Sequence, residues 1–136
     1  MNDGGARAIL QRMARHPTVG QVQLCGLKAL HAQAVHDGGF LRISLAREVI
    51  GVSLSSMETF TENGPLVKYG CLLLGWAAKD KVGQSLQPDL VGRAMASVEA
   101  ATRTHHLDDS IAGAASWAMH SLTQCSAFES IQGIEQ

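Results

Sequence analysis

Leu66-Val67-Lys68-Tyr69-Gly70-Cys71-Leu72-Leu73-Leu74 is matched by two further segments, Val22-Gln23-Leu24-Cys25-Gly26-Leu27-Lys28-Ala29-Leu30 and Ile111-Ala112-Gly113-Ala114-Ala115-Ser116-Trp117-Ala118-Met119, at spacings of 44 and 45 residues. Offsets 0, 4, 7 and 8 hold Leu66, Gly70, Leu73 and Leu74, then Val22, Gly26, Ala29 and Leu30, then Ile111, Ala115, Ala118 and Met119. That spacing lays one apolar face along an α-helix, three times over. The offset-4 residue is small in each copy (Gly26, Gly70, Ala115), although glycine inside a helix costs about 1 kcal/mol against alanine. A close helix contact at that level is the expected return.

Upstream of each segment runs a second helical pattern, carried by Ile9, Leu10 and Met13, by Leu54 and Met57, and by Met95 and Val98. Each copy is therefore a helix pair. Pro17-Thr18 follows the first helix with Thr18 as the expected N-cap, Asn63-Gly64-Pro65 supplies a cap with a proline at a helix start, and Asp108-Asp109 supplies a cap without one. Gln87-Pro88-Asp89 opens the third pair, and the glycine pairs at Gly4-Gly5 and Gly38-Gly39 read as turns. No segment alternates apolar and polar residues with the turn chemistry of hairpins, so the class is all-α with no sheet. The 136 residues form one domain, with copies at about 3–36, 37–80 and 85–124 and a tail at 125–136.

The chain is 46% hydrophobic but only 17% charged, against roughly 25% in an ordinary soluble domain. This composition excludes disorder and leaves a charge-poor surface to be explained. Eleven basic and twelve acidic residues give −1, so no global field favours a polyanion and nucleic acid is an unlikely partner, although Arg7, Arg12, Arg15 and Lys28 face only Asp3 through His36. Cys25, Cys71 and Cys125 are odd in number, far apart and without a CxxC, which argues against a disulfide framework or a zinc site and for a reducing compartment. No apolar run is long enough to span a bilayer, since the stretch from Cys71 stops at Lys79. The expected location is intracellular and cytoplasmic; the alternative is mitochondrial, because the amphipathic N-terminal region is basic and free of acid after Asp3.

A period of about 40 to 47 residues built from helix pairs belongs to armadillo and HEAT arrays. Asp3-Gly4-Gly5-Ala6, His16-Pro17, Val22-Gln23 and Gly26-Leu27-Lys28-Ala29-Leu30 resemble the armadillo pattern, with Asp37-Gly38-Gly39-Phe40 and Gly70-Cys71 in a second copy. The copies are degenerate. Gly39 to Gly70 is ten residues longer than Gly5 to Gly26, the third copy lacks the glycine pair, and Gln33 and Ser121 stand where such repeats often carry asparagine. The resemblance covers roughly residues 3–124 and implies a short right-handed α-solenoid of about three armadillo-like repeats.

His105, His106, Asp108 and Asp109 form the one dense group of metal-ligating residue types, but adjacent histidines do not readily face one ion, and an interhelix turn leading into an acidic helix start explains all four. His31, His36 and His120 lack HExxH, and no GxSxG elbow is present. Cys25 and Cys71 sit beside the small position and read as packing residues. No catalytic residue, metal ligand, cofactor or small-molecule substrate is assigned. Trp76 and Trp117 lie on second helices about 240° and 200° around from the small residue of their own copy, away from the packed column. With Lys68, Tyr69 and His120 they are the expected partner-binding residues. The expected function is a non-catalytic protein–protein interaction scaffold, a structural or accessory subunit of an obligate complex. Its alternatives are a transient peptide-binding adaptor and a small metal-dependent hydrolase using His105 to Asp109.

Overall fold

The computed structural model describes residues 4–36, 46–78 and 88–135, with side chains described as far as Gln124 in the last helix. Asp3, the pair Gly38-Gly39, Gln87 and the side chain of Cys125 lie outside the described residues. All the regular structure described is helical: α1 (Gly4–Arg15), α2 (Gly20–His36), α3 (Ala46–Thr59), α4 (Gly64–Ala78), α5 (Pro88–Thr104) and α6 (Asp109–Glu135). Among the described residues there is no strand. Helix α6 runs on through most of the 125–136 tail. Gly4 and Gly5 are in the first turn of α1 rather than in a turn ahead of it. Gly5 there lies against α2, where a methyl group would stand 3.2 Å from Gln33 Nε2.

The helices pack as consecutive antiparallel pairs, α1 with α2, α3 with α4 and α5 with α6. The second helices α2, α4 and α6 lie side by side in one layer, and the first helices α1, α3 and α5 follow one another in another. The most extensive contact is between α4 and α6. Helix α4 has a neighbour on each side, so its whole column, Leu66, Gly70, Leu73 and Leu74, is buried. In the flanking copies Val22, Ala29 and Met119 are only half-buried, because α2 and α6 each lack one such neighbour.

The three interhelix turns share one geometry. Val19, Asn63 and Asp108 each donate their backbone N–H to the carbonyl three residues back, at 3.0 to 3.2 Å, and accept one from the residue four further on. The repetition at 44 and 45 residues is thus a repetition of backbone. Asn63 Oδ1 accepts from Leu66 N at 3.2 Å, and Asp108 Oδ1 accepts from Ser110 N and Ile111 N, which are the expected caps. The first copy differs. Val19, not Thr18, stands at its cap position and has no side-chain acceptor, and the turn is closed from within α2: Gln23, 4% exposed, donates from Nε2 to Met13 O and His16 O at 2.9 Å each. Its Oε1 accepts from Ser56 Oγ of α3 at 2.7 Å, so one side chain ties the first pair to the second.

The small position meets its partner on the first helix of its own pair. A methyl at Gly70 would lie 2.5 Å from Met57 Sδ, and at Gly26 it would collide with Met13 Sδ. Both methionines are buried. In the third pair the residue 13 before Ala115 is Thr102, which is shorter than methionine and exposed. Successive turns also touch, the Phe60 ring covering Gly20 and His105 lying beside Gly64, and the first helices α5 and α3 are joined by a two-point ion pair from Arg93 to Glu58, at 2.6 and 3.0 Å.

Candidate functional site

The free side of α2, α4 and α6 gathers the residues singled out from the sequence. Residues 21, 25, 28 and 32 of α2 are exposed and fall in one stripe; their counterparts 44 further on are Pro65, Tyr69, Leu72 and Trp76 of α4. Tyr69, Leu72 and Trp76 are half-buried, resting on the core from outside. Trp117, the α6 counterpart of Leu72, is 39% exposed. His120 is exposed one turn further along, its Nε2 3.1 Å from Gln124 Nε2.

Trp117 does not simply point outward. A methyl group at Gly75 would lie 2.6 Å from its Cζ3 and 2.9 Å from Ala118 Cα, so the indole is wedged by one edge between α4 and α6 while its remainder stays open to solvent. Gly75 was missed in the sequence reading. Its signal was a third glycine in α4, five residues after Gly70, where nothing in the local pattern calls for it.

Tyr69 is the centre of the charged part of this face. Lys28 Nζ from α2 and Lys68 Nζ from α4 each sit 5.9 Å from its ring centroid, within cation–π range, and the His31 ring meets it edge-on at 5.5 Å. Burial, and then the nearby Lys68 ammonium, hold the His31 imidazole below its ordinary pKa. The sequence alone did not show that residues from two copies, 41 positions apart, converge on one phenol ring.

The His105 to Asp109 group is occupied with structure. His105 Nε2–H donates to Thr61 O at 2.8 Å, His106 Nδ1 faces Arg103 O at 3.3 Å, and Asp108 caps α6. No group of three His, Cys, Asp or Glu side chains suited to one ion occurs among the described residues. Cys71 is buried, which pushes its thiol up to about 12 and leaves it protonated and unreactive at neutral pH. Cys25 is exposed, with Gln21 Nε2 donating to its sulfur at 3.5 Å.

On the opposite layer a groove of about 610 Å³ opens between α1 and α3. Leu10, Met13 and Val52 line it, Gln23 and Ser56 lie within it, and Arg7, Glu48 and Arg93 mark its rim. Its charges are mixed, and Arg93 is already engaged with Glu58. No helix among the described residues is long and apolar enough to cross a membrane. Comparison with protein-family models, with curated proteins and with solved structures finds no match to this chain.

Proposed function

We propose that the chain is a non-catalytic, armadillo-like interaction scaffold that presents the free face of its second helices to another protein, as a structural or accessory subunit of a larger assembly. One observation carries this reading: Tyr69, Leu72, Trp76 and Trp117 lie together on the exterior of a protein with only 4% aromatic residues, and three of those four are aromatic. Aromatic anchors of this kind dominate interface energetics. The repeated turns and the stacking of Phe60 over Gly20 support the short solenoid reading. The engagement of His105, His106 and Asp108 in hydrogen bonds within and between turns counts against the hydrolase alternative. The free thiols of Cys25 and Cys71 accord with a cytoplasmic, reducing setting.

The test is co-purification from the native source. Trp117→Glu is expected to lose the associated protein while retaining helicity, because its indole is partly solvated and its loss weakens only one seam. The paired change His105→Ala with His106→Ala is expected to keep both association and fold. Loss of association in the histidine variant alone would move the binding surface to the turns. If Trp117→Glu unfolds, the indole is core, and Lys28→Glu on the exposed edge of the same face becomes the deciding variant.

A further inference from the structure

The chemistry of the partner follows from how charge is sorted between the two helix layers, and it rests on the reading of the second-helix face as a binding surface. Helices α2 and α4 contain no aspartate or glutamate, and α6 has none between Asp109, in its first turn, and Glu129. Of the acids with described side chains, Glu48, Glu58, Asp89 and Glu99 stand on first helices, Glu62 and Asp108 in turns, and Asp109 in the first turn of α6. The second-helix face instead carries Lys28, Lys68, His31 and His120. Among the described residues neither lysine makes an ion pair, and each ammonium stands over the Tyr69 ring. Two ammonium groups held over one ring without a counter-ion are complementary to carboxylates.

We propose that this face takes an extended acidic segment of a partner protein, with carboxylates between Lys28 and Lys68 and an apolar side chain against Trp76 and Trp117. The spacing can be worked out. Tyr69 lies one helical turn before Leu72, the counterpart of Trp117, which is about 4.5 Å along the axis. The step from α4 to α6 is one interaxial distance, about 8 to 10 Å. The resulting span of roughly 10 Å is three residues of extended chain at about 3.3 Å each. The segment therefore carries an acidic residue and an apolar residue about three positions apart. A nucleic acid fits less well, because a long polyanion draws its affinity from many phosphate contacts and would pass the acidic turns at Glu62, Asp108 and Asp109.

The experiment is fluorescence anisotropy of the full chain with fluorescein-labelled octapeptides of alternating Glu and Leu, alternating Gln and Leu, and alternating Glu and Ser. Expected is binding of the Glu/Leu peptide, weakened at least tenfold in the other two. The combined variant Lys28→Glu with Lys68→Glu, its helicity checked by circular dichroism, is expected to weaken it at least tenfold as well. That difference should shrink as salt is raised from about 0.05 to 0.5 M, as the Debye length shortens. Equal binding of the Gln/Leu peptide would refute an acidic partner while leaving the face a binding surface. No binding of the Glu/Leu peptide at about 1 mM, the weak end of specific association, would also refute it. Displacement of the peptide by an oligothymidylate at equal or lower concentration would reassign the face to polyanions and overturn the proposal. Whether the face binds protein at all is decided independently by Trp117→Glu.

Discussion

Two helical glycines, Gly70 and Gly51, should respond to the same substitution with opposite sign. Alanine gains about 1 kcal/mol over glycine in a helix interior. At Gly51 a methyl group meets nothing within 4 Å, so Gly51→Ala should collect most of that gain and stabilise by about 0.5 to 1 kcal/mol. At Gly70 the same methyl would lie 2.5 Å from Sδ and 2.6 Å from Cγ of Met57, which is itself 4% exposed and enclosed by the core. Overpacking commonly costs about 1 to 3 kcal/mol, so Gly70→Ala nets out at about 0 to 2 kcal/mol destabilising, and Gly70→Leu, with three more carbons in the same place, exceeds it. For a chain of this length 1 kcal/mol moves the midpoint by roughly 3 to 5 °C, well within reach of thermal melts followed by far-UV circular dichroism. Pairing Gly70→Ala with Met57→Thr imports the combination at Ala115 and Thr102. The double variant should therefore be more stable than the sum of the single effects by about 1 kcal/mol or more. If Gly70→Ala raises the midpoint as Gly51→Ala does, or if the double variant is additive, the close contact between α3 and α4 does not set the glycine.

Replacing Gln23 by methionine should destabilise by about 1 to 3 kcal/mol, because it leaves His16 O and Ser56 Oγ without their present partner; chemical denaturation of Gln23→Met, Ser56→Ala and the double variant should show strong non-additivity. His31 is held below its unfolded value of about 6.5, so the unfolded chain binds more protons and the contribution, complete above that pH, is lost as pH falls through the folded pKa. Stability should therefore decline on acidification below about pH 6.5, and His31→Gln should flatten that slope; an unchanged slope in denaturation midpoints across this range would place the titration elsewhere.

The apolar columns were legible because a helix writes its buried face into offsets of 4, 7 and 8, and α4, flanked on both sides, obeys them without exception. The turns were legible for a local reason, since Asn63 and Asp108 cap helices within three residues of themselves. What stayed hidden depends on which copies meet. Gln23 looked like an ordinary polar helical residue because its acceptors and donor sit 10, 7 and 33 positions away. Trp117 was rightly placed off the column of its own helix, yet its wedge against Gly75 belongs to the neighbouring copy and could not be read from the rotation of α6 alone. The convergence of Lys28, Lys68 and His31 on Tyr69 was concealed in the same way. The small residues at 26 and 70 announced a close contact, while the identity of the methionine that fills it required the pairing of the helices.

The position of the two tryptophans also makes the molecule a lopsided optical reporter. The chain has no others: Trp76 stands on α4, half-buried, and Trp117 of α6 is wedged against Gly75 of α4. The first pair contributes no indole, and it borders the open groove between α1 and α3, where Gln23 and Ser56 form its buried polar tie to the next pair. Helix pairs packed in succession need not melt in one step, since the first pair rests chiefly on the second. Fraying of α1 and α2 would remove helical ellipticity while leaving the emission of Trp117, wedged between α4 and α6, untouched. The gap between the two signals in a single denaturation series therefore measures how firmly the first unit is coupled to the rest.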